Sequence, residues 1–217
     1  MRIKFKFLSI LLVSLITISS YSQTKPVDFD YGKVKNNKYV NSFFNCELNI
    51  PTDWVVQTKE QIETISNKGK ELIAGDDANM KAMMKTSQVN SANLLSVFQY
   101  ERGAPVDYNS SISIVAENVK NLPGIKSGSD YLFQVKKMLT LSKIKFDSIA
   151  PDFKKETINN TVFYKMDAGI TIMGINIKQS YYSTIVNGFS FSIVMSYTDE
   201  EQKNILLESI NSLQFKK

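Results

Sequence analysis

Residues 160–197 read NTVFYKMDAGITIMGINIKQSYYSTIVNGFSFSIVMSY, and the architecture of the chain follows from them. Asn187-Gly188 is the strongest of the short hairpin signals, because both residues tolerate the positive φ that a two-residue turn demands. After it, Phe189, Phe191, Ile193, Met195 and Tyr197 are apolar, and serines stand between them except at Val194. A period of two is that of a strand with one face in the core, so the serine face is expected to be the milder one. Outward from this strand, runs at 151–158, 162–173, 175–186 and 189–198 read as an antiparallel meander, with Asn159-Asn160 as a second turn.

Further upstream the pattern alternates between the two regular periods. Residues 43–50 read as a strand that stops at Pro51, and Pro51-Thr-Asp-Trp54 turns the chain. Thr58 with Gln61 three residues on fits a capping box, and Ile62, Ile65, Leu72 and Ile73 recur at helical spacing until Gly75. Residues 93–101 and 111–118 are rich in β-formers and are separated by Gly103 and Pro105. After Pro123-Gly124, Tyr131, Leu132, Val135, Met138 and Leu139 mark one apolar helix face, with Lys136, Lys137 and Lys143 mostly elsewhere. Thr198 and Glu201 suggest a capping box for a last helix, with Leu206, Ile210 and Leu213 as its buried stripe. Strands joined by tight turns, with helices grouped between them, predict an α+β fold: an antiparallel sheet of about six to seven strands covered by helices.

This layout resembles the PsbP-like superfamily, which includes the extrinsic photosystem II subunit and the DcrB-type exported proteins. The resemblance is carried by the strand at 43–50 running into Pro51-Thr-Asp-Trp54, the helix at 131–139, the meander at 160–197 and the Glu200-Glu201 start of the last helix. It covers nearly all of the chain after the leader. It implies an α/β/α sandwich and a non-enzymatic role as an accessory to a larger assembly, and it implies no ligand residues.

The N-terminus reads as an address. Arg2, Lys4 and Lys6 precede an apolar run at 7–18, the order of a cleavable secretory signal, and the run is too short to span a bilayer. Ser20 and Ser22 are the small residues a signal peptidase requires, so cleavage is expected between Ser22 and Gln23. The division is then a signal peptide at 1–22, a flexible arm at 23–41 and a single domain at 42–217. The protein is expected to be periplasmic or secreted, in the manner of a Gram-negative bacterium. It is not expected to be lipid-anchored, since its one cysteine, Cys46, is remote from the cleavage site. Removing residues 1–22 takes away three basic and no acidic residues and lowers the formal net charge from +5 to +2. No dense basic face then remains, and nucleic acid is not an expected partner. Cys46 reads as a small buried thiol.

Chemistry is sparse. With no histidine in the chain, Ser-His-Asp and Cys-His nucleophile systems and imidazole-containing zinc sites are excluded. The acidic clusters fall at turns and helix starts, where carboxylates oppose the helix dipole. No cofactor or metal is expected. Met80, Met83 and Met84 share a helical face and read as core filler or as a patch for docking a partner. Tyr181-Tyr182 sends one ring to each face of its strand, with a sugar-stacking platform as the alternative to core. Asp147-Ser148-Ile149 matches a three-residue O-glycosylation signal of exported proteins, with Ser148 as the acceptor, and Asn109 and Asn159 begin N-glycosylation patterns. The leading expectation is an exported, non-catalytic module for an envelope protein or assembly. A carboxylate-based hydrolase of envelope polymers would instead show two acids facing across a cleft, and a small-ligand or lipid carrier an apolar cavity.

Overall fold

The computed structural model describes residues 29–216, together with all their side chains except those of Met83 and residues 86–89. The expected signal peptide and the Ser22 and Gln23 cleavage site lie outside the described residues. In chain order the elements are β1 (Lys33–Lys35), β2 (Lys38–Asn41), β3 (Cys46–Asn49), β4 (Val55–Val56), α1 (Lys59–Ala74), α2 (Ala78–Asn90), β5 (Ser91–Phe98) and β6 (Ser111–Asn118). Then follow α3 (Gly128–Leu141), β7 (Ser148–Ile149), β8 (Lys154–Ile158), β9 (Thr161–Ile172), β10 (Ile175–Val186), β11 (Phe189–Tyr197), α4 (Glu200–Asn211) and β12 (Gln214–Phe215).

The class is α+β, as expected, but there are two antiparallel sheets. The larger has eight strands in the order β4-β5-β6-β11-β10-β9-β7, with β8 also on β9; the smaller has four, β1-β2-β3-β12. Four hairpins use the same turn: Asn36-Asn37, Asn159-Asn160, Met173-Gly174 and Asn187-Gly188 all have positive φ at both residues, the twist that matches flanking strands. The first of these overturns the expected arm. Residues 33–41 form the β1–β2 hairpin, and Tyr39 is buried in the core. The segment before it is pinned as well. The Asp30 carboxylate accepts hydrogen bonds from the Ser42 N–H (2.8 Å), the Ser42 hydroxyl (2.7 Å) and the Gly32 N–H (2.8 Å), which hold it below its ordinary pKa despite some desolvation.

Consecutive strand residues point to opposite faces, and the large sheet buries both. On one face Tyr182, Phe191, Ile193 and Met195 join Tyr39, Phe44 and Leu48 of the small sheet and Leu206 and Ile210 of α4 in one cluster. On the other, Tyr181, Met166 and Val194 join Ile73 of α1, Met80 and Met84 of α2, and Leu132 and Val135 of α3. One face is therefore covered by a second sheet with one helix, not by helices alone. The serine face of β11 is not milder: every residue of that strand is buried. Its hydroxyls are satisfied laterally, Ser190 with Ser183 of β10 (3.2 Å) and Ser192 with the same Ser183 (3.1 Å), and Ser96 of β5 pairs in the same way with Ser113 of β6 (3.0 Å). Small side chains there let α3 settle directly on the sheet.

The last helix begins one residue later than the expected cap. The Asp199 carboxylate accepts from the Gln202 N–H (2.8 Å), and Gln202 Oε1 accepts from the Thr198 N–H (2.9 Å); a charged cap suits the helix dipole better than a threonine. The Thr58–Gln61 box of α1 is present in both directions. Cys46 is buried, and desolvation pushes its thiol up to about 12. A folded sample held at pH 8 with excess iodoacetamide is therefore expected to stay unalkylated until denaturant is added, because the thiolate is the reacting form; prompt labelling of native protein would contradict this packing.

Candidate binding groove

β4 is too short to cover the strand beside it. It pairs only Val55 with Phe98 and Val56 with Val97, and one further bond runs from the Gln57 N–H to the Ser96 carbonyl (2.9 Å). The chain then leaves the sheet, because Thr58 caps α1. Among the described residues no strand lies along the outer side of Ala92 to Leu95. A groove of about 670 Å³ opens there. Its floor is β5, one wall is the first turns of α1 (Lys59, Ile62, Glu63), and the other is Tyr31 to Val34 with Tyr39.

The wall formed by residues 31–34 is fixed by a close approach. Gly32 has φ +83°, and a Cβ on it would come within 2.3 Å of the Tyr39 ring, so only glycine fits. The Tyr39 hydroxyl donates to the Tyr31 carbonyl (2.9 Å) and accepts from Asn41 Nδ2 (2.9 Å). At the rim the Lys59 ammonium stands 5.6 Å from the centroid of the Tyr31 ring, within cation–π range. The ladder of β5 is bulged between Asn93 and Leu95, an irregularity that re-aims side chains. Gln57 ends the floor. It is 4% exposed, its Nε2 donates to the Val55 carbonyl (3.2 Å), and its Oε1 has no hydrogen-bond partner. A buried amide oxygen in that state forfeits about 1–3 kcal/mol of solvation.

No family model and no curated protein matches the chain. A crystal structure of a protein from Bacteroides thetaiotaomicron is similar to it, at 12% identity and a TM-score of 0.45, over 85% of this chain and 50% of that one. The chain thus spans about half the length of that protein.

The sequence-predicted candidates fall elsewhere. Met80 and Met84 are buried beneath the large sheet at 7% and 4% exposure, so they are core and not a docking surface; the Met83 side chain is outside the described residues. Tyr181 and Tyr182 do point to opposite faces, but both are buried and neither is a stacking platform. Asn109 and Asn159 are engaged by the backbone, Asn109 with Tyr100 on both sides and Asn159 with the Asn211 and Leu213 carbonyls. Ser148 is exposed, on the edge strand β7.

Among the described residues no helix is long and apolar enough to cross a membrane, and no group of three or more Cys, Asp or Glu side chains converges to hold a metal ion. Glu156 and Asp167 approach each other only through Lys165, which lies 3.9 Å from one and 3.3 Å from the other. Among the described residues the one carboxyl in the core is Glu117, 1% exposed, whose Oε2 accepts from the Tyr131 hydroxyl (2.8 Å). Burial raises it well above the ordinary carboxyl pKa, and the tyrosine bond offsets this in part. Neither Gln57 nor Glu117 carries a sequence signal. A glutamine between Val55-Val56 and a helix cap looks like any loop residue, and a glutamate at the end of an apolar strand looks like its solvent-exposed end.

Proposed function

We propose that this chain is an exported, non-catalytic binding module of PsbP-like α/β/α layout, which attaches to an envelope protein or assembly through the groove beside β5. The groove carries the reading. A buried acceptor without a partner where β4 ends, in a groove also lined by Lys33 and Lys59, is a recognition surface awaiting a complement. Lys165 between Glu156 and Asp167 is an ion-paired surface group, unlike two acids facing across a cleft. The leader of Arg2, Lys4 and Lys6 followed by the apolar run at 7–18 supports export to the periplasm or beyond. Exposed Ser148 within Asp147-Ser148-Ile149 is consistent with modification on that route. The helices α3 on one face of the large sheet and α4 on the other are the helical layers that such a layout calls for, and the four-stranded sheet beside α4 is an addition to it.

Lys59→Glu reverses a rim charge at the first residue of a helix, where an acid is locally favourable, so it tests the groove without threatening the fold. Crosslinking of the exported, tagged chain in intact cells is expected to capture one envelope component that Lys59→Glu loses. Equal capture by both proteins would move the contact off the groove. Turnover of an envelope polymer by the purified protein would replace the non-catalytic reading with a catalytic one.

A further inference from the structure

We infer that the groove takes an extended peptide carrying an acidic side chain, added as a strand to the outer edge of β5. The inference rests on the binding-module reading and names the chemistry of its ligand. Three observations converge on a strand. First, β4 is in line with an edge that carries no strand among the described residues: its pairing ends with the Gln57 N–H on Ser96, and β5 continues beyond that point through Leu95, Leu94, Asn93 and Ala92. A sheet edge left bare presents main-chain donors and acceptors to any passing chain, and natural edges are blunted by charges or proline; Ala92 to Leu95 has neither. At about 3.3 Å per residue these four positions match some 13 Å of added strand.

Second, Gln57 Oε1 sits where β4 departs, 4% exposed and without a partner. A main-chain N–H of the added strand is the donor that strand addition brings to such a place. In recognition of this type main-chain bonds supply affinity and pockets for alternate side chains supply selectivity. Val34 and Ile62, on opposite walls, are the apolar surfaces such side chains would meet.

Third, the charges facing the groove are Lys33 and Lys59 on its two walls against Glu63 alone. Two cations flanking one acid favour a ligand with a carboxylate between the lysines, and disfavour a basic one.

The probe is a displayed library of random seven-residue peptides, selected on the full exported chain. Enriched sequences are then synthesised with a fluorophore and titrated by anisotropy. Selection is expected to enrich β-prone peptides with at least one Asp or Glu. Their binding is expected to slow amide exchange within residues 92–95, to weaken about tenfold or more in Lys33→Glu/Lys59→Glu, and to weaken about fivefold in Gln57→Met. Far-ultraviolet circular dichroism of each variant establishes that it is folded. Protection of amides elsewhere, or binding indifferent to the double charge reversal, overturns the inference. So does a library that enriches nothing. An apolar dye, 8-anilinonaphthalene-1-sulfonate, separates the two levels of the argument. If the dye binds the folded chain and Gln57→Met alters its affinity while no peptide is enriched, the groove is a small-molecule site and only the strand is wrong. If peptide and dye both ignore the groove and crosslinked capture survives Lys59→Glu, the binding-module reading falls as well.

Discussion

Gly128→Ala is expected to destabilise the fold by about 3 kcal/mol, the upper end of overpacking penalties, although alanine is the better residue for a helix. Gly128 opens α3 over the centre of the large sheet, and a Cβ built on it would lie 1.9 Å from the Ser183 carbonyl oxygen and 2.6 Å from its carbon. Both are backbone atoms of β10, paired on one side with β9 and on the other with β11, so neither can retreat. The helix must lift instead. Lifting it strips contacts from Tyr131, Leu132 and Val135, each at 2% exposure or less. Against this, glycine-to-alanine in a helix gains only about 0.5–1 kcal/mol of propensity, and less at its first residue. The check is the midpoint of urea unfolding relative to Gly124→Ala, whose new methyl would meet nothing within 4 Å and should change stability by no more than about 0.5 kcal/mol. If Gly128→Ala unfolds at the wild-type midpoint, α3 does not rest on β10 in the way described.

That close approach explains why one part of the fold was legible in the sequence and another was not. Two turns were legible because they interrupt apolar strands: Asn159-Asn160 and Asn187-Gly188 each sit between two runs of β-formers. Asn36-Asn37 has the same backbone, with φ of 52° and 54°, but it sits in Lys33-Val-Lys-Asn-Asn-Lys38, and β1 is exposed at all three residues. Composition there is that of a solvated arm. What holds the hairpin is distant: Tyr39 in the core, and Asp30 bound to Ser42. The serine face of β11 misled for a related reason. Alternation of serine and apolar residues is the pattern of a half-buried strand, and it is equally the pattern of a strand whose second face must be low enough for a helix to lie on it. Only Gly128, far away in the chain, distinguishes the two. The groove was not legible at all, because its decisive features are a missing strand partner and an unpaired amide oxygen, and no residue type encodes an absence.

Under that same helix lies the group with the largest expected response to pH. Glu117→Gln is expected to abolish a loss of stability that the wild-type chain undergoes as pH rises above the ordinary carboxyl range. The Glu117 carboxyl, desolvated beneath α3, has its folded-state pKa raised well above 4.5, whereas in the unfolded chain it regains an ordinary value. Between those two values the folded protein holds a proton that the unfolded protein releases. Unfolding is then favoured by increasing pH, by up to about 1.4 kcal/mol for each pH unit. The contribution is fully present below about pH 4.5 and is lost as pH climbs toward the folded-state value. Asp30, Asp130, Glu47 and Glu200 shift the opposite way through hydrogen bonds and neighbouring lysines. They make the chain more stable as pH rises out of the acid range, and their effect is complete by about pH 5. Wild-type stability should therefore rise to a maximum near pH 5 and decline above it. A glutamine still accepts the Tyr131 hydroxyl and never ionises, so in Glu117→Gln the acid limb should persist and the decline vanish. Urea unfolding at half-unit steps from pH 4 to 8 compares slopes within each protein, so any constant offset from the amide drops out. Parallel curves above pH 5 would mean that Glu117 reaches water or a cation in the folded state, and that the helix-covered face is less closed than its serines and Gly128 make it.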